Sequence, residues 1–242
     1  MFFKKEKKIG LALGGGAARG IAHVGILQGL EEHGIKVDLI AGTSSGSIIG
    51  GLYSAGLSME DFFKEIPSLR WSNFAGFQLS RMGMMTSKPV ENLVRKLVGD
   101  IKFKDLKIPF AALATDISTG TGIVLNDPNL ELAPAVRASA SFPGVYSPVK
   151  LNNQYFFDGG ASANVPSAVT KKLGATKIIA VDVIPDINLD HTPKHFALLA
   201  DRGLDLLLRG VSRQNDNIAD LTLKPVNEYF NSFSVKKRDE IS

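Results

Sequence analysis

Two strand-to-helix turns built almost wholly of small residues stand close together near the start of the chain, and this repeat constrains the fold more than any other feature. Ile9-Gly10-Leu11-Ala12-Leu13 reads as a short buried strand running directly into Gly14-Gly15-Gly16. From Arg19 to His33 the apolar residues Ile21, Val24, Ile26, Leu27 and Leu30 fall at helical spacing, closed by Gly34. Val37 to Ala41 is a second strand, which turns through Gly42-Thr43-Ser44-Ser45-Gly46 into an apolar helix carrying Ile48, Ile49 and Leu52. Strand, turn and helix in succession, twice, imply a parallel sheet with helices on its faces.

The theme continues less regularly. Pro89 to Val98 is expected to be helical, with Pro89 in the first turn. Phe110–Asp116 and Gly122–Leu125 read as paired strands around Ser118-Thr119-Gly120-Thr121, and 130–140 as a helix. Tyr155-Phe156-Phe157 is a strand leading into Asp158-Gly159-Gly160, and 177–184 is another buried strand. After Pro185 the pattern changes to an amphipathic stretch over 196–208, then to polar, irregular sequence from Asp216. The expected organisation is a basic segment over 1–8, one α/β domain over 9–190, and a C-terminal helical extension with a polar tail over 191–242.

Composition narrows the chemistry. With 44% apolar and 21% charged residues, the chain is an ordinary globular protein rather than a disordered one. The absence of cysteine excludes disulfides, thiolate nucleophiles and cysteine-based zinc sites together. Residues Met1 to Lys8 lack the apolar core of an export signal, and no stretch reaches ~18 uninterrupted apolar residues. A cytoplasmic protein without a membrane span is therefore the expectation. The net charge of +4 is mild, and its visible clusters are Lys4 to Lys8 and Lys236-Lys237-Arg238. No nucleic-acid partner is expected from that distribution. The N-terminal cluster, preceded by Phe2-Phe3, has two readings: a solvated chain end, or a patch that docks reversibly on an anionic membrane.

Gly42-Thr43-Ser44-Ser45-Gly46 fits G-x-S-x-G, a pattern that carries weight here because a strand precedes it and a helix follows. Only Ser44 has a glycine two residues to each side. Its hydroxyl is a candidate nucleophile; the plainer reading is a helix N-cap. The Gly14-Gly15-Gly16-Ala17-Ala18-Arg19-Gly20 turn matches neither G-x-G-x-x-G nor a P-loop. It leaves an oxyanion hole of backbone N–H groups, or a tight structural turn.

An acyl hydrolase also needs a base. None of His23, His33, His191 and His195 sits at a strand end, and His33, though it precedes Gly34, closes the first helix, so histidine offers no good third member of a triad. Asp158 follows an aromatic strand and precedes two glycines. It is either the base, if burial raises its pKa, or part of an ordinary Asp-Gly turn. The apolar, aperiodic stretch Trp71 to Met85 reads either as a lid or acyl groove, or as packing beneath the domain.

The glycine turn with Arg19-Gly20, then Gly42–Gly46, then Asp158-Gly159-Gly160, taken in this order, resemble the patatin-like phospholipase family in its small bacterial form. Arg137-Ala138-Ser139-Ala140-Ser141-Phe142-Pro143 resembles the family's segment before its aspartate, and Asn164 and Pro166 follow as its pattern leads one to expect. The resemblance covers roughly residues 8 to 185. It implies a three-layer α/β/α fold with a mostly parallel central sheet, and esterase or phospholipase A-type hydrolysis of lipid esters. It further implies Ser44 as nucleophile, Asp158 as base, an oxyanion hole at Gly14, Gly15 and Gly16 near Arg19, and no metal or organic cofactor. Arg19 would orient the loop or hold an anionic headgroup, or else pack its stem on the sheet. Ala17 stands where a strict motif wants glycine, which leaves open which amides form the hole. The rival reading is a regulatory or lipid-binding protein on the same scaffold with little turnover.

Overall fold

Strand β1 (Ile9–Leu13) is apolar on both faces, and a strand of that kind is stable only between two layers. The computed structural model, which describes residues 7–65, 76–80, 83–185, 196–213 and 216–226, provides both. A 3-10 turn (Ala17–Ile21) leads from β1 into α1 (Ala22–Glu32), so the helix expected from Arg19 begins tighter than an α-helix. β2 (Leu39–Thr43) and α2 (Ser45–Ala55) follow, then α3 (Met59–Glu65), an antiparallel pair β3 (Gly76–Ser80) and β4 (Gly83–Thr86), and α4 (Lys88–Val98) with its proline in the first turn. Next come β5 (Phe110–Asp116), β6 (Gly122–Leu125), α5 (Leu132–Ser139), β7 (Val149–Leu151) and β8 (Gln154–Asp158). α6 (Ser167–Lys172), β9 (Lys177–Val181), α7 (Phe196–Arg213) and β10 (Leu221–Leu223) complete the described elements.

The main sheet runs β10-β9-β1-β2-β5-β8-β7, with β6 also on β5. From β10 to β5 every pairing is parallel, and β6, β7 and β8 add antiparallel strands at the β5 side. Alternation along the strands sorts the two layers. Leu11, Leu13, Phe110, Ala112 and Ala114 join the large core with Leu27, Leu52, Val94 and Val136 from α1, α2, α4 and α5. The opposite face presents Ala12, Ala41, Ala111 and Ala180, small residues that admit the short α6 and its Val169. The fold is therefore a three-layer α/β/α arrangement around a mostly parallel sheet.

β10 departs from the expectation of irregular sequence after Asp216. Three residues are too few to show a period, yet Leu221–Leu223 pair with β9, and Asp220 accepts from Lys177 Nζ and the Ile178 N–H. The chain after 190 thus contributes a strand to the main sheet. Among the described residues, no helix is long and apolar enough to cross a membrane. Residues 1–6 and the cluster at 236–238, proposed above as basic patches, lie outside the described residues, as do Trp71–Ala75, His191 and His195.

Candidate active site

Strand register brings Ser44 and Asp158 to one level of the sheet. Thr43, the last residue of β2, pairs with Leu113 of β5; the next β5 residue, Ala114, pairs with Asp158 at the end of β8. Between β2 and α2 the backbone reverses at Ser44, with φ 53° and ψ −123°, a strained conformation for a residue with a side chain. The flanking glycines are dictated by space. A Cβ on Gly46 would lie 2.2 Å from the Leu13 carbonyl oxygen, and one on Gly42 would lie 2.5 Å from that of Gly46. Ser44 occupies the N-cap position of α2 but its hydroxyl makes no capping bond. The N-cap reading therefore does not describe what that hydroxyl does.

The serine-rich end of α5 fastens the turn. Ser139 Oγ accepts from the Ser44 N–H at 3.1 Å and donates to the Leu113 carbonyl at 2.6 Å. Two residues on, the Ser141 carbonyl accepts from the Asp158 N–H at 2.9 Å. One short segment thus holds both the serine and the aspartate, which is the physical content of the Ala-Ser pattern before Pro143.

Asp158 is 2% exposed. Its Oδ1 accepts from the Gly160 N–H at 2.8 Å, while Oδ2 is buried and meets no partner in full hydrogen-bond geometry. Burial pushes the carboxyl from 3.8 up to about 7, against the opposing pull of the Ser44 hydroxyl and the Gly160 N–H. The Ser44 hydroxyl therefore lies near enough to act on the carboxyl. The negative charge of Asp158, after burial, also pushes the Tyr146 hydroxyl up.

The glycine turn lies beside the serine, and a Cβ on Gly15 would stand 3.0 Å from that of Ser44. Its amides are not equivalent. The Gly14 N–H donates to the Val181 carbonyl at 2.9 Å and the Gly15 N–H to that of Asn164 at 3.2 Å. Among the described residues, the N–H groups of Gly16 and Ala17 have no acceptor. Ala17 holds φ 51°, the left-handed region that costs a residue bearing a Cβ about 1–2 kcal/mol.

Arg19 is fully buried and forms a two-pronged pair with Asp205 of α7, at 2.6 and 2.9 Å. Asn164 Nδ2 reaches the Gly15 carbonyl at 3.3 Å, so Asn164 grips the turn with both backbone and side chain. His23 lies below it, fully buried, with Nε2 2.8 Å from the Gly14 carbonyl. Burial lowers its pKa to about 4, so the ring is neutral near pH 7 and Nε2–H is the donor. His33 is exposed and bonds the Gly29 carbonyl within its own helix. Neither described histidine hydrogen-bonds Ser44 or Asp158.

Ser44, Asp158, Asn164 and residues Gly15 to Ala17 line one pocket together with Phe142, Ile184, Leu204, Asp205 and Leu208, a cleft of about 440 Å³ that is open in part to solvent. Asn164, His23, Ser139 and Asp205 are parts of this arrangement that sequence reasoning left without a role. Asn164 had a signal in its place after Asp158. Asp205 had none, since its pairing with Arg19 spans most of the chain.

A family model described as patatin-like phospholipase matches residues 11–170. An uncharacterized NTE family protein of Mycobacterium tuberculosis is 33% identical over 73% of this chain and 49% of its own length. Lysophospholipase NTE1 of Scheffersomyces stipitis is 36% identical over 74% of this chain but 12% of its own length. The chain thus spans at most about half the length of these relatives. Among solved structures, VipD from Legionella pneumophila superposes with a TM-score of 0.53 at 15% identity, covering 64% of this chain and 46% of VipD, a likeness of fold.

Proposed function

The chain belongs to the patatin-like phospholipase family, and from that premise we propose that it is a serine acyl hydrolase cleaving carboxylic esters of lipids. The observation that carries this reading is the juxtaposition of Ser44 and Asp158. A serine hydroxyl free of any capping bond acts on a buried carboxyl poised at about 7. A carboxyl with that pKa is half ionised near neutrality, so it accepts a proton in one step and returns it in the next.

Ser44 Oγ attacks the ester carbonyl carbon as its proton passes to Asp158. The carbonyl oxygen becomes an oxyanion, which the N–H groups of Gly16 and Ala17 receive, because those of Gly14 and Gly15 are engaged in holding the turn. Collapse of the tetrahedral intermediate breaks the bond to the leaving oxygen, and Asp158 protonates the departing alcohol. Water then gives a proton to Asp158 and attacks the acyl-serine; as the acyl–Oγ bond breaks, Asp158 returns that proton to Ser44 Oγ, releasing the carboxylic acid and restoring both residues. Arg19 serves the reaction at one remove, by pinning the turn to α7 through Asp205. The relative named as a lysophospholipase supports a lipid ester as the substrate.

The test is hydrolysis of a butyryl ester and a lysophospholipid by wild type, Ser44→Ala, Asp158→Asn and the double variant. Each single change is expected to abolish turnover, with the double no worse, as for residues that act as a unit. Near-wild-type turnover by Ser44→Ala on either substrate refutes the proposal.

A further inference from the structure

The wall of the pocket opposite Ser44 comes from α7, which lies beyond the span matched by the family model. Leu204 and Leu208, one helical turn apart, face the same space as Ser44 and Asp158. Leu208 packs over the Asp158-Gly159-Gly160 turn, its Cδ2 3.2 Å from where a Gly160 Cβ would stand. Both leucines are only half-buried, although they lie on the inner side of the helix, because the pocket leaves them uncovered. Phe142 and Ile184 extend the same apolar lining.

The charged groups on this pocket are all carboxyls. Among its described lining residues there is no lysine, arginine or histidine, and the ionisable members are Asp158 and Asp205. Arg19, next to the turn, is buried and already paired with Asp205. A phosphate or other anionic headgroup would find no uncommitted positive partner among these lining residues, whereas an alkyl chain fits the lining. Among the described residues, the tethers of α7 include the Arg19–Asp205 pair, Asn164 Nδ2 to Ser212 Oγ at 3.4 Å, and the Arg209 guanidinium on the Pro185 carbonyl. A changed leucine therefore reshapes the pocket rather than shifting the helix.

We propose that Leu204 and Leu208 of α7 form an acyl-chain subsite and set the length of chain the protein accepts, with the headgroup left outside. This rests on the acyl-hydrolase reading above. The experiment measures kcat/KM for acetyl, butyryl, octanoyl and palmitoyl esters of one alcohol with wild type, Leu204→Trp, Leu208→Trp and Leu208→Ala. The octanoyl-to-acetyl ratio is expected to fall about tenfold or more in each tryptophan variant. The alanine variant is expected to move the optimum toward longer chains. Opposite shifts from filling and emptying one space are not produced by loss of folding. A ratio unchanged in all three variants overturns the proposal, as does an equal loss on every chain length in a variant with a wild-type thermal transition.

Calorimetric binding of decanol to the Ser44→Ala protein is a readout that needs no turnover. Adding Leu208→Trp is expected to weaken it about tenfold, and equal binding overturns the subsite even if hydrolysis is confirmed. Decanol binding of the expected pattern in a wild type that hydrolyses no ester instead supports the subsite and refutes the hydrolase reading.

Discussion

Replacing Asp158 by asparagine is expected to stabilise the fold, increasingly so as pH rises. The folded carboxyl keeps its proton up to about pH 7, because burial disfavours its charge, whereas the unfolded chain releases it near 3.8. Between those values the folded state binds more protons than the unfolded state, so wild-type stability falls as pH rises through the window and levels off above it. At about pH 5 the cost is on the order of 2 kcal/mol, and by about pH 8 it reaches on the order of 4 kcal/mol. Asparagine has the same shape and no charge to bury, and its carbonyl oxygen still accepts from the Gly160 N–H. The stability gap between variant and wild type should therefore widen by about 2–3 kcal/mol from pH 5 to pH 8, or roughly 5–10 °C in Tm for a chain of this size. Thermal denaturation followed by circular dichroism across that range measures it, and other titrating groups cancel in the difference. Parallel curves would refute the reasoning, and a gap that narrows with pH would mean that the folded protein stabilises the carboxylate.

The same carboxyl should govern the rate: kcat/KM is expected to rise with pH through a single ionisation near 7, and a profile flat across that pH would exclude Asp158 as base. His23→Leu removes the donor beneath the Gly14 carbonyl and is expected to lower kcat about tenfold with little change in KM or in that pH profile, with His23→Gln recovering part. An unchanged kcat would show that the turn needs no such support. Arg19→Met or Asp205→Leu alone removes one side of a buried ion pair and should cost about 3–5 kcal/mol in denaturant unfolding, most of it recovered in the double variant. Additive losses in the double variant would contradict the pairing.

Much of this architecture was legible because it is local. β1, β2 and the helices after them announce themselves through runs of apolar residues broken by glycine, and the crowding at Gly42 and Gly46 explains why those positions tolerate nothing larger. Ser44 and Asp158 were nameable from turn chemistry. Their meeting depends on β8 pairing with β5, a register that no local pattern encodes. The short β10 and the hairpin of β3 and β4 were missed because three to five residues show no period. The Arg19–Asp205 pair was missed because a buried arginine looks in sequence like an exposed one. The amphipathic pattern of α7 showed that one face would be covered, but not that the cover includes a pocket beside Ser44. Which amides remain for an oxyanion depends on the acceptors supplied by Val181 and Asn164, far along the chain from the turn.

The nucleophile itself is most directly tested by covalent capture. The protein is treated with a fluorophosphonate probe, digested, and the modified residue located by mass spectrometry. A single stoichiometric adduct on Ser44 is expected, absent from Ser44→Ala and formed more slowly in Asp158→Asn. An adduct on Ser45 or Ser47 in place of Ser44, or labelling of Ser44→Ala at the wild-type rate, would contradict the assignment of Ser44.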